Sequence, residues 1–212
     1  MSSIALIYEP ITTRSTDLSA EAAARFAESP VLACDIETSG LDWRTERIAT
    51  VQLYAPGQPI SIVRANGKPP KRLLELLAAP HIVKVFHHAM FDLRFMARQW
   101  DAAAQNVHCT KIAAKLLHPD APEKQSLRAL VDAYLNVSLD KSQQISNWET
   151  KRLTRRQQQY AANDVAHLPA LLARLQAELV ARDLWTLAES CFAHIPARVA
   201  LEVRGFGDVY TY

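Results

Sequence analysis

The sequence lacks the marks of a secreted or membrane-embedded protein. It contains only three cysteines, Cys34, Cys109 and Cys191, which lie far apart and form no CxxC pair. An odd, scattered set argues against a disulfide framework and favours a reducing compartment. No stretch approaches the roughly 20 apolar residues of a membrane span, and the N-terminus lacks the basic start and apolar run of a secretory signal. We therefore expect a cytoplasmic protein with no membrane partner.

The chain also has little excess charge. Its 24 lysines and arginines nearly balance 22 acids, which leaves a net charge of +2. This excludes a polycation that coats long nucleic acids, so any contact with nucleic acid must be local. A length of 212 residues with 49% hydrophobic residues is ordinary for one globular domain, which we expect to span residues 1–212.

Strand patterns dominate the first half of the chain and helical patterns the second. The predicted strands are 31–38, 46–54 and 59–63, which look like a meander, followed by 81–87 and 107–110. The predicted helices are 17–28 with Asp17 or Ser19 as its cap, 71–78, 89–100, 110–118, 126–135, a long pattern at 154–182, and a last helix from 183 that extends as far as 204. This order predicts an α/β fold with a mixed central sheet flanked by helices.

Two acids lie two residues apart near the end of the first strand pattern. Asp35 and Glu37 would point to one face of the strand, while Ile36 points into the core. Two carboxylates on one side of an apolar strand repel each other unless a cation lies between them. The string indicates a metal site, although Asp35 could also merely end a strand.

Three further residues would complete such a site. Asp92 follows a strand pattern at its carboxyl end, where sites in α/β sheets usually lie; alternatively, it stabilises the start of a helix. Tyr160 and Asp164 share a helix face, where the tyrosine could position or deprotonate a water; alternatively, they are a packed tyrosine and an exposed aspartate. Together, the four carboxylates and Tyr160 predict a divalent-cation site suited to phosphodiester hydrolysis.

These residues stand in the strings CDIETSGL, HHAMFDL and YAANDV, which resemble the DEDD superfamily of 3′–5′ exonucleases with a YxxxD third motif. The segments VSLDKSQQISNW and LTRRQQQYAANDV are similar to ribonuclease D, and HCTKIAAKLL and AESCFAHIPAR resemble its small nanoRNase C relatives. The resemblance covers about residues 30–200 and implies a ribonuclease H-like fold. One departure is His88, where many of these exonucleases have asparagine.

The resemblance implies two divalent cations, Mg²⁺ or Mn²⁺, as cofactors. Asp35, Glu37 and Asp164 would bind the ion that activates the attacking water. Asp35, with Asp92 nearby or through water, would bind the ion at the leaving 3′ oxygen. Tyr160 would orient the water, and the products would be nucleoside 5′-monophosphates.

Six residues are candidates for substrate contact. Leu41 stands where a leucine wedges between two bases in the short-oligonucleotide members, although it could equally be an ordinary residue between loop and core. Lys111 offers a charge to a phosphate and Trp148 a stacking surface. His87 could contact the terminal nucleotide or a phosphate, or be a satisfied structural histidine. The full set is Thr38, Leu41, His87, Lys111, Gln144 and Trp148.

The expected substrates are dinucleotides and very short RNA. A nearly neutral chain makes few phosphate contacts, and the resemblance implies a homo-oligomer, an octameric ring, that restricts access. The apolar tail FGDVYTY is a candidate subunit contact, or else a frayed terminus. Two alternatives stay open. One is a ribonuclease D-like enzyme that trims longer RNA 3′ ends, although we expect no room here for its additional helical domains. The other is a catalytically silent nucleic-acid-binding module.

Overall fold

A computed structural model describes residues 10–65, 68–140 and 146–211. Within these residues, six strands form one sheet and eight α-helices surround it. The strands are β1 (Ile11–Ser15), β2 (Val31–Thr38), β3 (Ile48–Tyr54), β4 (Ile60–Arg64), β5 (Val83–Phe86) and β6 (Val107–Cys109). The helices are α1 (Ala20–Ala27), α2 (Lys71–Ala78), α3 (Ala89–Trp100), α4 (Thr110–Leu117), α5 (Leu127–Leu135), α6 (Arg155–Ala166), α7 (Leu168–Ala181) and α8 (Trp185–Val203). In the part of the chain described, no helix has the length and apolarity needed to cross a membrane.

The sheet is mixed, with strand order β1-β4-β3-β2-β5-β6. Strand β3 runs antiparallel to both of its neighbours, β2 and β4, as predicted for a meander. Strand β1 is parallel to β4, β5 to β2, and β6 to β5. The predicted α/β fold with a mixed central sheet is therefore confirmed. Strand β1 was not predicted from the sequence.

Strand β2 lies inside the sheet and carries its side chains to two different environments. Ile36 is buried in the larger core on one face. On the other face, Ala33 packs against Ala162 and Val165 of α6 in a second apolar cluster. Because side chains alternate along a strand, Asp35 and Glu37 share the Ala33 face, and α6 passes close to them.

The long helical pattern at 154–182 is divided into two helices at His167. Pro169 lies in the first turn of α7, where its missing N–H leaves no bond unmade, but it cannot continue α6. Helix α6 begins with a capping box, in which Thr154 and Gln157 satisfy each other's backbone groups. The break ends α6 soon after Asp164.

Candidate active site

Three carboxylates from two elements meet beside β2. Asp35 and Glu37 come from the strand and Asp164 comes from α6, and an oxygen of each lies within 4.8 Å of the others. In the described residues this is the one group of three or more acidic, histidine or cysteine side chains arranged to hold an ion. Asp35 and Glu37 lie on the same face because they are two residues apart on a strand, and the packing of α6 on the sheet brings Asp164 to them.

Asp92 lies next to this group but is not one of its three members. It is buried in the first turn of α3, and its Oδ1 accepts a hydrogen bond from the backbone N–H of Ile36 at 3.1 Å. The charge of Asp92 raises the pKa of Glu37, and the charge of Asp35 raises the pKa of Asp92. The structure thus brings all four predicted carboxylates to one locality, with the fourth tied to the backbone of β2.

Burial and mutual repulsion oppose the ionisation of these acids. Burial raises the pKa of Asp35 to about 7. Burial, followed by the charges of Asp35, Asp164 and Asp92, raises the pKa of Glu37 to about 10. The pKa values of Asp92 and Asp164 are raised too, first by burial and then by Asp35. Such a set of hard oxygen donors fits a divalent cation, because the cation's charge relieves the repulsion.

Tyr160 lies one helical turn before Asp164 on the same face of α6, beside the acidic group. Burial raises the pKa of Tyr160, and the charges of Asp164, Glu37 and Asp35 raise it further. The phenol therefore stays protonated at neutral pH. Both roles considered from the sequence, orienting a water and deprotonating one, stay predictions.

Leu41 is displayed by the loop between β2 and β3. Its side chain is 83% exposed, which rules out the alternative of a residue that packs into the core. The loop is built by short contacts: Thr38 Oγ1 donates to the carbonyl oxygen of Gly40 at 2.6 Å, and Ser39 Oγ donates to Glu46 at 2.6 Å. A Cβ atom at Gly40 would lie 2.8 Å from Cδ of Glu46, so the loop packs tightly under the leucine.

His87 and Lys111 lie close together near the start of α4. The Nδ1 atom of His87 hydrogen-bonds to Oγ1 of Thr110 at 3.0 Å, and Thr110 donates to the carbonyl of Phe86. Burial, with the positive charges of Lys111 and His88, lowers the pKa of His87 to about 3. His87 is therefore neutral and held by the protein, as in the structural alternative. Contacts of either residue with a nucleotide stay predictions.

Trp148 does not present the stacking surface predicted for it. Its side chain is 2% exposed and its ring centroid lies 5.9 Å from that of Tyr160. No open face is left for a base, because the loop that carries Trp148 folds back onto the sheet. Gln144, the other candidate from this part of the chain, lies outside the described residues.

Two buried polar residues face the acids from β3 and were missed in the sequence. Thr50 pairs with Glu37 and Gln52 with Asp35 across the antiparallel ladder. Both are fully buried, and Gln52 Nε2 donates to Thr50 Oγ1 at 2.7 Å. Alternation in β3 was recognised, but only the pairing with β2 shows that its polar side faces the acids.

Residues 8–180 match the model of a family described as 3′–5′ exonuclease. The chain belongs to the 3′–5′ exonuclease family. Ribonuclease D from Nitrobacter hamburgensis is 28% identical to this exonuclease over 164 residues, which are 77% of this chain and 42% of the relative. Ribonuclease D from Sphingobium indicum is 31% identical over 172 residues, or 80% of this chain and 44% of the relative. The exonuclease thus spans less than half the length of these curated relatives.

A solved structure matches nearly from end to end. NrnC of Brucella melitensis superimposes on the exonuclease with a TM-score of 0.88 at 31% identity, covering 96% of this chain and 98% of that one. Structures of the same protein bound to pGG and with bound Mg²⁺ match with TM-scores of 0.86 at 29% identity. These findings confirm the predicted resemblance to ribonuclease D and its small nanoRNase C relatives, the ribonuclease H-like fold, and the exonuclease class of enzyme.

Proposed function

We propose that this exonuclease is a metal-dependent 3′–5′ exoribonuclease that hydrolyses dinucleotides and very short RNA to nucleoside 5′-monophosphates. The observation that carries the proposal is the meeting of Asp35, Glu37 and Asp164 within 4.8 Å, with Tyr160 one helical turn from the third of them. Four neighbouring acids with raised pKa values suit a site that works with divalent cations rather than without them.

Each residue has a defined task in this scheme. Asp35, Glu37 and Asp164 would hold one divalent cation, Mg²⁺ or Mn²⁺, and Asp35 with Asp92 a second. Bound ions of this kind lower the pKa of water and stabilise charge on phosphate oxygens. Tyr160, as a neutral phenol one helical turn from Asp164, would orient the attacking water.

The preference for dinucleotides is supported by two observations. Leu41 projects into solvent beside the acidic strand, where it could separate two bases. NrnC, which this chain matches over 98% of its length, has been solved with pGG bound. Thr38, His87 and Lys111 are the described candidates for the remaining contacts with the substrate.

A second candidate function is the trimming of longer RNA 3′ ends, as the ribonuclease D names of the curated relatives suggest. These relatives extend well beyond the matched region, since this chain spans only 42–44% of them. The shared region holds the catalytic acids in both candidates, so the acids cannot separate them.

A length series separates the two candidates. We would measure kcat/KM with Mg²⁺ or Mn²⁺ for single-stranded RNAs from dinucleotides to about ten nucleotides, long enough to exceed any dinucleotide pocket. For a diribonuclease, kcat/KM for the dinucleotide should exceed that for the longest strand by about tenfold or more. Comparable rates at all lengths would favour trimming. Full activity in excess chelator would refute the metal-dependent mechanism for both.

A further inference from the structure

The loop of residues 146–154, named here the Trp148 loop, is tied to the sheet by arginines. Both terminal nitrogens of Arg64, at the end of β4, donate to backbone carbonyls in the loop, those of Thr150 and Lys151. A planar guanidinium suits this task because it presents two parallel donors in a fixed geometry, which a lysine cannot do. Arg64 therefore joins the edge of the sheet to two consecutive peptide groups.

A second arginine holds the same loop at a neighbouring point. Arg47, just before β3, forms an ion pair with Glu149. Both side chains are substantially exposed, so this pair contributes little stability alone. The pair nevertheless attaches Glu149, the residue next to Trp148, to the sheet. Arg64 is the stronger of the two anchors on this side, because it makes two hydrogen bonds to the loop.

On its other side, the loop is tied to α6 by Gln157. The buried side chain of Gln157 donates from Nε2 to Ser146 Oγ at 2.9 Å and to the carbonyl of Asn147 at 3.0 Å. Its Oε1 accepts from the backbone N–H of Thr154 at 3.0 Å as part of the capping box. The Trp148 loop thus bridges the sheet and the first turn of the helix that carries Tyr160 and Asp164.

Trp148 fills the space between these anchors. It forms a small apolar cluster with Ala49 and Ile62 of the sheet and Ala161 of α6, and Tyr160 packs against this cluster. The rings of Trp148 and Tyr160 lie in tilted contact with their centroids 5.9 Å apart, and this contact connects the loop to the active site. If the loop shifts, Trp148 no longer limits where the Tyr160 ring can lie.

We propose that Arg64 is a positioning residue for catalysis: it clamps the Trp148 loop onto the sheet and so holds the Tyr160 phenol beside Asp164. The inference rests on the proposed function and adds a residue outside the acidic site. Displacement of a reacting or orienting group by about 1 Å can reduce catalysis by up to about a hundredfold. Arg64 thereby acts on the rate of the chemical step and leaves metal ligation to the acids.

The competing role for Arg64 is direct contact with an RNA phosphate. Arg64, Arg47, Gln99 and Trp148 border a cavity of about 270 Å³ that is open to solvent. A phosphate contact would make Arg64→Ala raise KM and weaken its dependence on salt, because a uniform binding interaction would be lost. A positioning role lowers kcat and leaves KM nearly unchanged. The two roles therefore give different kinetic results.

A double-mutant cycle tests the positioning role. We would compare Arg64→Ala, Tyr160→Phe and the double variant, using kcat and KM on a dinucleotide with Mg²⁺. We expect Arg64→Ala to reduce kcat about tenfold with little change in KM. The double variant should be no slower than Tyr160→Phe alone, because Arg64 acts through the tyrosine and the losses do not add. Arg64→Lys should recover only part of the rate, since it cannot serve both carbonyls.

Controls keep the outcomes distinct. Arg25→Ala removes an ion pair on α1 and should leave kcat unchanged. If Arg64→Ala does not fold, Arg47→Ala releases the weaker anchor and should show a smaller loss that again vanishes in the Tyr160→Phe background. Additive losses, or a rise in KM alone, would overturn the positioning role. A wild-type enzyme without dinucleotide hydrolysis would instead refute the proposed function.

Discussion

The buried carboxyl group of Asp35 destabilises the metal-free fold when it is ionised. Burial raises its pKa from 3.8 to about 7. Because the folded state then holds the proton more tightly than the unfolded state, metal-free stability should fall as pH rises from about 4 to about 7. We expect Asp35→Asn to remove this part of the pH dependence, to stabilise the metal-free protein at neutral pH, and to abolish hydrolysis. Urea unfolding across this pH range in chelator, with dinucleotide assays in Mg²⁺, measures these effects.

Asp132→Asn is the matched control, because Asp132 is an exposed acid on α5, away from the cluster. It should change neither the catalytic rate nor the pH profile of unfolding. If Asp35→Asn is less stable than the wild type at neutral pH in chelator, the burial argument is wrong, since the buried amide then costs more than the buried charge it replaces.

Single residues were predictable where spacing alone fixes their direction. Asp35 with Glu37, and Tyr160 with Asp164, follow from the periods of a strand and a helix, and both pairs face the site. Lys84 was not predictable, because nothing local shows that both faces of β5 are covered. Its side chain is fully buried and donates to the carbonyl of Ala79, and burial lowers the pKa of Lys84 to about 8.

At the scale of elements, the loop between β2 and β3 holds Leu41 out in solvent. We expect Leu41→Ala to raise KM for a dinucleotide about tenfold, the loss from one leucine side chain that no longer becomes buried on binding. The midpoint of unfolding should stay the same, because the side chain is 83% exposed and its loss leaves no cavity. Steady-state kinetics and thermal unfolding measure the two quantities.

Val180→Ala supplies the comparison, because Val180 is an exposed apolar residue on α7. It should leave both KM and the midpoint unchanged. An unaltered KM in Leu41→Ala would show that the leucine does not separate the bases, while the acids and the proposed chemistry would be unaffected.

Helices and strands were predictable where a specific residue, such as a helix cap, marks where the element begins or ends. Helix α1 begins at the serine cap that was one of two candidates, Ser19, whose side chain accepts from Ala22. Strand β1 was missed because its short segment ITTRS has no strong apolar run and gains its order by pairing with β4. The break between α6 and α7 was missed because the leucine spacing hid the effect of Pro169.

At the scale of the whole molecule, the fold was predicted from the resemblance to the exonuclease family. The comparisons with known proteins agree with that prediction along almost the entire chain. The contact between Arg64 and the Trp148 loop could not be predicted from any sequence motif, because the two segments are far apart in the chain and meet only in the folded protein. A single domain of residues 1–212, the cytoplasmic location, and a homo-oligomer such as an octameric ring stay predictions.

Self-association has a physical candidate in the segment after α8. Phe206 and Tyr210 are 64% and 70% exposed, yet the segment is held in place: Asp208 forms an ion pair with Arg198 at 3.0 Å, and the Tyr210 ring packs on His194 at 5.4 Å. Ordered apolar side chains kept in solvent are typical of protein–protein contacts. We expect the particle mass to exceed the 23.7 kDa of one chain and to fall in the double variant Phe206→Ser, Tyr210→Ser.

Light scattering coupled to size exclusion measures the mass, and Val180→Ser serves as the control because it places the same polar group at an exposed apolar position of α7. The control should keep the wild-type mass. The double variant should stay folded, because its two rings contribute little to the core of the chain. If the wild type is monomeric at the micromolar concentrations used in assays, the segment has another role, and any restriction to short substrates must lie within one chain, with Leu41 as its main determinant.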